Sequence, residues 1–303
     1  MTLSLDDYRT LLALDAPYQA PAPASAQEAP ELIKTLLSEL IRAMPEDPLV
    51  RRLAQADQLS VRQRLQGMLT VLPARPAMPA AFHDQLDRLL QYELSQKAIT
   101  QGATLPNLAE RFVGTSFSAA ARCALWRGDI TTLEVDAIVN AANDAMMGCF
   151  QPFHACIDNA IHAAAGPRLR EDCDRLMTLQ GGPEPTGTAK VTRGYHLPSR
   201  FVLHTVGPLY RGPGPVPSAR DREALAASYR SCLDLAAALG SIRTLAFCSI
   251  STGVFGFPAR PAAEVALQTV ARWLQDHPGV IDRVIFNVFS AADQELYESL
   301  LAV

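Results

Sequence analysis

The sequence is short of charge, of long apolar runs and of regularly spaced cysteine, and each shortage excludes a class of protein. Charged residues make up 19% and the formal net charge is −4, so a broad basic footprint for nucleic acid is missing. No apolar run approaches the ~20 residues that a membrane-spanning helix needs. Residues 1–15 are acidic and lack the basic start and long apolar stretch of a secretion signal. The six cysteines are unevenly spread, as expected of intracellular thiols or ligands and not of a disulfide framework. The expectation is a cytoplasmic protein that partners neither nucleic acid nor membrane. Apolar residues, 49% of 303, suffice for a full core and a second small domain.

Proline divides the first third. Pro17, Pro21, Pro23 and Pro30 forbid a continuous helix, so an extended chain over the surface is expected there. Leu32, Leu36 and Leu40, with Ile33, Leu37 and Ile41 beside them, then give a helical stripe closed by Pro45 and Pro48. Ser60 is placed to cap a second helix carrying Leu65, Met68, Leu69 and Leu72, and Phe82, Leu86, Leu89, Leu90 and Leu94 mark a third. Nothing in this region suggests chemistry; His83 stands alone. After Arg122 the period changes. Short β-branched or apolar runs at 123–126, 135–139, 189–192, 201–206, 245–250 and 284–289 alternate with helical stretches, one closed by Gly240 and a last one opened by Ser290 and Asp293. That alternation predicts an α/β domain of three layers with a largely parallel or mixed sheet, whose ligands bind beyond the strands' carboxyl ends. Gly181-Gly182-Pro183 and Gly212-Pro213-Gly214-Pro215 read as loop breakers. No internal repeat is present.

Four stretches carry potential chemistry. In Gly148-Cys149-Phe150-Gln151-Pro152-Phe153-His154-Ala155-Cys156, two thiols and an imidazole stand close together. Zinc prefers such ligands, and three without a fourth suit a catalytic site with one open position. The spacing is no standard finger, so two buried thiols and a surface histidine remain an equal reading. Cys123, Cys173, Cys232 and Cys248 are solitary in the sequence. Downstream, Ile157, Ile161 and Ala164 give a helix its apolar stripe, ended by Gly166-Pro167, with Asp158 and His162 four apart on another face. Asp158 either complements the helix dipole or serves near a metal as an orienting group or base. Ser251-Thr252-Gly253-Val254-Phe255-Gly256-Phe257-Pro258 follows a buried strand and suits either a diphosphate-wrapping loop or a tight turn. In Gly128-Asp129-Ile130-Thr131 and Val139-Asn140-Ala141-Ala142-Asn143, the carboxylate and carboxamides can hold an exocyclic amine and ribose hydroxyls, or simply cap turns.

Taken in order, and with His204-Thr205-Val206-Gly207-Pro208, these motifs resemble the macrodomain family over residues 123–303. The Cys149–Cys156 insert is similar to the family's zinc-containing branch, which also carries a helical N-terminal extension. The resemblance implies a three-layer α/β/α macrodomain with a mixed central sheet at 113–303, preceded by a helical domain at 31–112 and an N-terminal segment with linker at 1–30. It implies that Asp129 accepts from the adenine amino group beside the backbone of Ile130. Asn140 and Asn143 would lie near the distal ribose, and Ser251, Thr252, Gly253, Val254, Phe255, Gly256 and Phe257 would wrap the diphosphate and that ribose. Cys149, His154 and Cys156 would bind one zinc ion at the distal ribose, with Asp158 and Asn143 completing the catalytic set. His204, inside an apolar strand, would be structural.

The implied activity is zinc-dependent removal of mono-ADP-ribose from modified proteins. An ADP-ribose reader without turnover and an O-acetyl-ADP-ribose deacetylase use the same pocket and stay open, while a purely structural zinc module lacks a fourth ligand. Members of this branch often accompany a sirtuin-like ADP-ribosyltransferase and a lipoyl-carrier protein, which makes these the expected partners.

Overall fold

The computed structural model describes residues 2–212 and 214–302; Pro213, within one of the loop breakers, and the terminal residues Met1 and Val303 lie outside it. Its helices are α1 (Leu5–Tyr8), α2 (Ala29–Ala43), α3 (Pro48–Ala54), α4 (Val61–Val71), α5 (Ala80–Ser95), α6 (Leu108–Arg111), α7 (Ile157–Ala165), α8 (Pro167–Gln180), α9 (Ala219–Leu239), α10 (Ala259–Asp276) and α11 (Ala291–Leu301). The strands are β1 (Thr100–Gln101), β2 (Cys123–Arg127), β3 (Leu133–Glu134), β4 (Ala137–Ala141), β5 (Ala189–Arg193), β6 (Phe201–Thr205), β7 (Thr244–Phe247) and β8 (Arg283–Val288). Six strands form one mixed sheet in the order β2-β8-β7-β4-β6-β5, parallel throughout except for the antiparallel edge pair β5–β6. The buried runs Ile138-Val139 and Ile285-Phe286 are what a strand covered on both faces requires. Helices sandwich the sheet: α7 packs on β4 and α8 on β5, while α9, α10 and α11 pack together over β5, β6 and β2.

Local signals in the sequence set the helix ends. Ser60 and Ser218 cap α4 and α9 through full capping boxes, and Ser290 accepts from the Asp293 amide at the start of α11. Gly240 closes α9 in the left-handed conformation. Gly166 ends α7, but Pro167 is at once the first residue of α8, so the pair turns the chain between two helices instead of breaking it into a loop.

The core divides differently from the sequence segments. One apolar cluster joins α2, α3, α4 and α5 through Leu36, Leu40, Val50, Leu65, Met68 and Phe82. Leu108, within the span read as helical domain, belongs instead to the larger cluster around the sheet, as do Tyr8, Leu12 and Leu14 of the N-terminal segment. The Tyr8 hydroxyl accepts from the Val191 amide of β5 at 3.2 Å. Ile41, expected inside the helical stripe, is exposed, and His83 is a buried packing residue against Phe82. No helix among the described residues is long and apolar enough to cross a membrane.

Candidate active site

Segments following the parallel strands β2, β4, β7 and β8 surround a cleft of about 670 Å³, within the usual span for small-molecule sites. Its walls include Gly128, Asp129 and Ile130 after β2, Asn143 after β4, Ser251 to Phe255 after β7, and Phe289 after β8. Open α/β sheets place ligands at these carboxyl ends, where helix starts and loop amides converge.

One wall is the loop from β4 to α7. Met146, Phe150 and Phe153 stand in the left-handed region at φ 58°, 52° and 65°, with Gly148 at 88°. Such backbone costs about 1–3 kcal/mol per non-glycine residue and persists only where neighbours impose it. Asn143 imposes it from one side, its Nδ2 donating to the Gly148 carbonyl at 3.0 Å and its Oδ1 accepting from the Ala145 and Met146 amides. Asn159 imposes it from the other, donating to the His154 carbonyl at 3.0 Å. Gly148 has no room for a side chain: a Cβ there would meet Arg170 Nη2 at 3.2 Å and His162 Cγ at 3.3 Å.

The folded loop brings Cys149 Sγ to 3.3 Å from His154 Nδ1, and the donor atoms of Cys149, His154 and Cys156 all lie within 4.8 Å of one another, half-buried at the cleft. Cys156 also caps α7, its Sγ accepting from the Asn159 amide at 3.4 Å. Burial first, and the neighbouring Cys149 sulfur after it, push the Cys156 thiol up to about 11; a cation among the sulfurs acts in the opposite direction, favouring thiolate. Donor types, proximity and access to the cleft all fit a zinc ion.

Asp158 sits in the first turn of α7, buried yet in the cleft wall. Burial raises its carboxyl to about 6, against the lowering effect of Asn140, which donates to it, and of the Arg170 charge. Asn140 uses both amide protons: Nδ2 donates to Asp158 Oδ1 at 2.8 Å and to His204 Nδ1 at 3.1 Å. The second bond requires His204 to carry its proton on Nε2, which is 2.9 Å from the Thr192 hydroxyl. Burial pushes His204 down to about 3 and drives His162 well below its ordinary value, so both rings are neutral. The 3.5 Å approach of His162 Nε2 to Asp158 is therefore a contact of a carboxyl with a neutral ring, not an ion pair.

Most expected ligand residues meet at the cleft, and three do not. Asp129, Ile130, Asn143, Ser251, Thr252, Gly253, Val254 and Phe255 line it together with the three metal-type residues and Asp158. Asp129 is also a turn cap, accepting from the Thr131 amide at 2.9 Å and its hydroxyl at 2.8 Å. Asn140, expected beside the ribose, is fully buried and stands behind Asp158, because its amide is committed to Asp158 and His204. Gly256 and Phe257 lie outside the wall as well: the turn folds back through the Phe257 amide to the Ser251 carbonyl, and the Phe257 ring is buried against Tyr210. Sequence reasoning missed Gln66, Asn159 and Asn287, all in the wall, and placed Phe289 at the end of the apolar run 284–289. β8 stops at Val288, and Phe289 is 81% exposed at the cleft. A large apolar residue directly before the Ser290 cap was the available signal; Gln66 offered none.

The family model described as Macro domain matches residues 139–266. A protein-ADP-ribose hydrolase of Treponema medium is 47% identical over 238 residues, 78% of this chain and 86% of that protein. A probable bifunctional ADP-ribose hydrolase/ADP-ribosyltransferase of Fusarium oxysporum f. sp. cubense is 44% identical over 78% of this chain, which spans 40% of that longer relative. Among solved structures, the Trypanosoma brucei macrodomain in complex with ADP-ribose superposes with a TM-score of 0.58 at 32% identity, covering 75% of this chain and 92% of that one.

Proposed function

The chain belongs to the Macro domain family, and from that premise we propose that it is a zinc-dependent hydrolase, working in the cytoplasm, that removes mono-ADP-ribose from modified proteins. The named activity of the Treponema relative, over 86% of its length, supports hydrolysis. The observation that carries the zinc reading is the convergence of Cys149, His154 and Cys156 within 4.8 Å in the wall that also holds Asp158.

The cleft walls after β2 and β7 bind and orient the nucleotide, with Asp129 at the adenine and the turn from Ser251 to Phe255 around the diphosphate. This leaves the distal ribose at the loop after β4. Hydrolysis there breaks the bond between the anomeric carbon and the protein side chain. Water supplies the new hydroxyl, and its proton passes to the departing group. Asp158 is the residue placed to hold that water and take its proton; Asn140 keeps its carboxyl oriented. Zinc, when held by the three ligands, supplies Lewis acidity at the sugar end. Asn143 maintains the loop on which the ligands stand.

The decisive experiment incubates the purified protein with a mono-ADP-ribosylated protein, with and without a chelator, and measures free ADP-ribose beside bound zinc. Release that stops on chelation and returns with zinc is expected; retention of the modified protein without release would make this chain a reader. The fungal relative carries a hydrolase and a transferase name on one chain, which supports a transferase as the functional counterpart here. We place a sirtuin-like enzyme acting on a lipoyl-carrier protein in that role, to be checked by offering that modified carrier as substrate.

A further inference from the structure

We propose that the N-terminal helical unit is part of the metal centre's construction, and that Arg170 is the positioning residue through which it acts. The inference rests on the zinc reading above. Arg170 lies on α8, almost fully buried. α4 has no basic residue in its last turn, so its final carbonyls, which no helix can satisfy internally, need donors from elsewhere. Arg170 provides them: Nη1 donates to the Leu69 and Leu72 carbonyls and Nη2 to that of Thr70 at 3.1 Å. The same guanidinium reaches the other way. Nε donates to the Met147 carbonyl at 2.8 Å, and the group lies 4.4 Å from the centre of the Phe150 ring. Met147 and Phe150 bracket Cys149.

A second contact lies directly before His154. Gly67 of α4 packs on Phe153, the residue before it: a Cβ at 67 would stand 3.2 Å from Phe153 Cζ and 3.0 Å from both Leu53 methyls. Gln66, next to Gly67, is the one residue of α2 to α5 in the cleft wall among the described residues. Cys149 is thus held between two points tied to α4 through Arg170, and His154 follows a third, Phe153, in a loop whose left-handed residues need such ties. A planar fork that serves four carbonyls at once has no equivalent in a lysine ammonium.

The test uses the full chain with Arg170→Lys and Gly67→Val, and zinc alone as the probe. Zinc dissociation constants come from competition with a chelator, folding from circular dichroism and thermal melting, and cleft integrity from binding of ADP, which lacks the distal sugar. For Arg170→Lys we expect a folded protein with unaltered ADP binding and zinc affinity reduced by about 10–100-fold, the usual effect of losing a group that orients metal ligands. Gly67→Val, which crowds Phe153 from the helical side, should shift zinc affinity in the same direction, and it carries the test should Arg170→Lys not fold. Equal zinc affinity in the unsubstituted protein and the folded variants overturns the inference alone. Absence of zinc from the unsubstituted protein overturns the metal reading and this inference with it.

Discussion

Two clusters of cysteine and histidine lie close together in this molecule, and they differ in what surrounds them. Cys149, His154 and Cys156 are half-buried on one loop; His162, Cys173 and His204 are buried and come from α7, α8 and β6. Both sets hold their donor atoms within 4.8 Å. In the buried set His204 is already committed on both nitrogens, to Asn140 and Thr192, and burial pushes the Cys173 thiol well above its ordinary value. In the loop set the donors face the cleft. Ligand types and mutual distance therefore do not set the two clusters apart; burial and access to the cleft do. Within the buried set, His204 fixes the orientation of Asn140, and through it Asp158.

That contrast can be broken or sharpened. The largest effect is expected from Cys149→Ala or Cys156→Ala, which should remove zinc and reduce ADP-ribose release to background, while Cys173→Ala keeps one zinc per chain; metal analysis showing two equivalents, one lost only with Cys173, would erase the distinction. Asp158→Asn should lower kcat by about 10²–10⁴-fold, the usual worth of a general base, with zinc retained; single-turnover release measures it. Next comes His204→Leu, which deprives Asn140 of its acceptor and should lower kcat by roughly tenfold to a hundredfold through misorientation of Asp158. His204→Asn offers an acceptor in the same place and should recover part of that loss, and ¹⁵N shifts of His204 should report the Nε2–H tautomer. The last test concerns stability against acid. His204, held neutral down to about 3 when folded, takes up a proton once unfolded near its ordinary 6.5. The unfolded chain therefore binds more protons in that window, and stability should fall as pH drops from about 6.5 towards 3. Urea midpoints across this range, compared with His204→Asn, isolate the contribution; a midpoint independent of pH in both proteins would remove it.

Several helix ends were legible residue by residue, because caps such as Ser60, Ser290 and Gly240 act within four positions of themselves, whereas Pro48 and Pro167, read as stops, open α3 and α8. The gathering of Cys149, His154 and Cys156 was legible for the same reason, since they are near neighbours in the chain. The motif that contains Asn140 and Asn143 was equally visible, yet their separate duties were not: alternation of strand β4 into a following loop puts one amide behind Asp158 and the other under the loop that carries Cys149, and only the packing of α7 on β4 decides which is which. Phe289 could be read either as strand or as cleft rim until the register of β8 on β2 ended at Val288.

By itself the order of amino acids determined the alternating α/β domain, the capped helices, the glycine-dependent turns and the nearness of Cys149, His154 and Cys156, since each follows from interactions spanning a few residues. Tertiary structure alone decided that Arg170 joins α4 to the loop 146–154, that Cys173 meets two histidines from distant elements, and that Tyr8 and Leu12 belong to the sheet's core. Those contacts link positions tens to hundreds apart, where no local periodicity carries a signal and burial of the whole chain selects the partners.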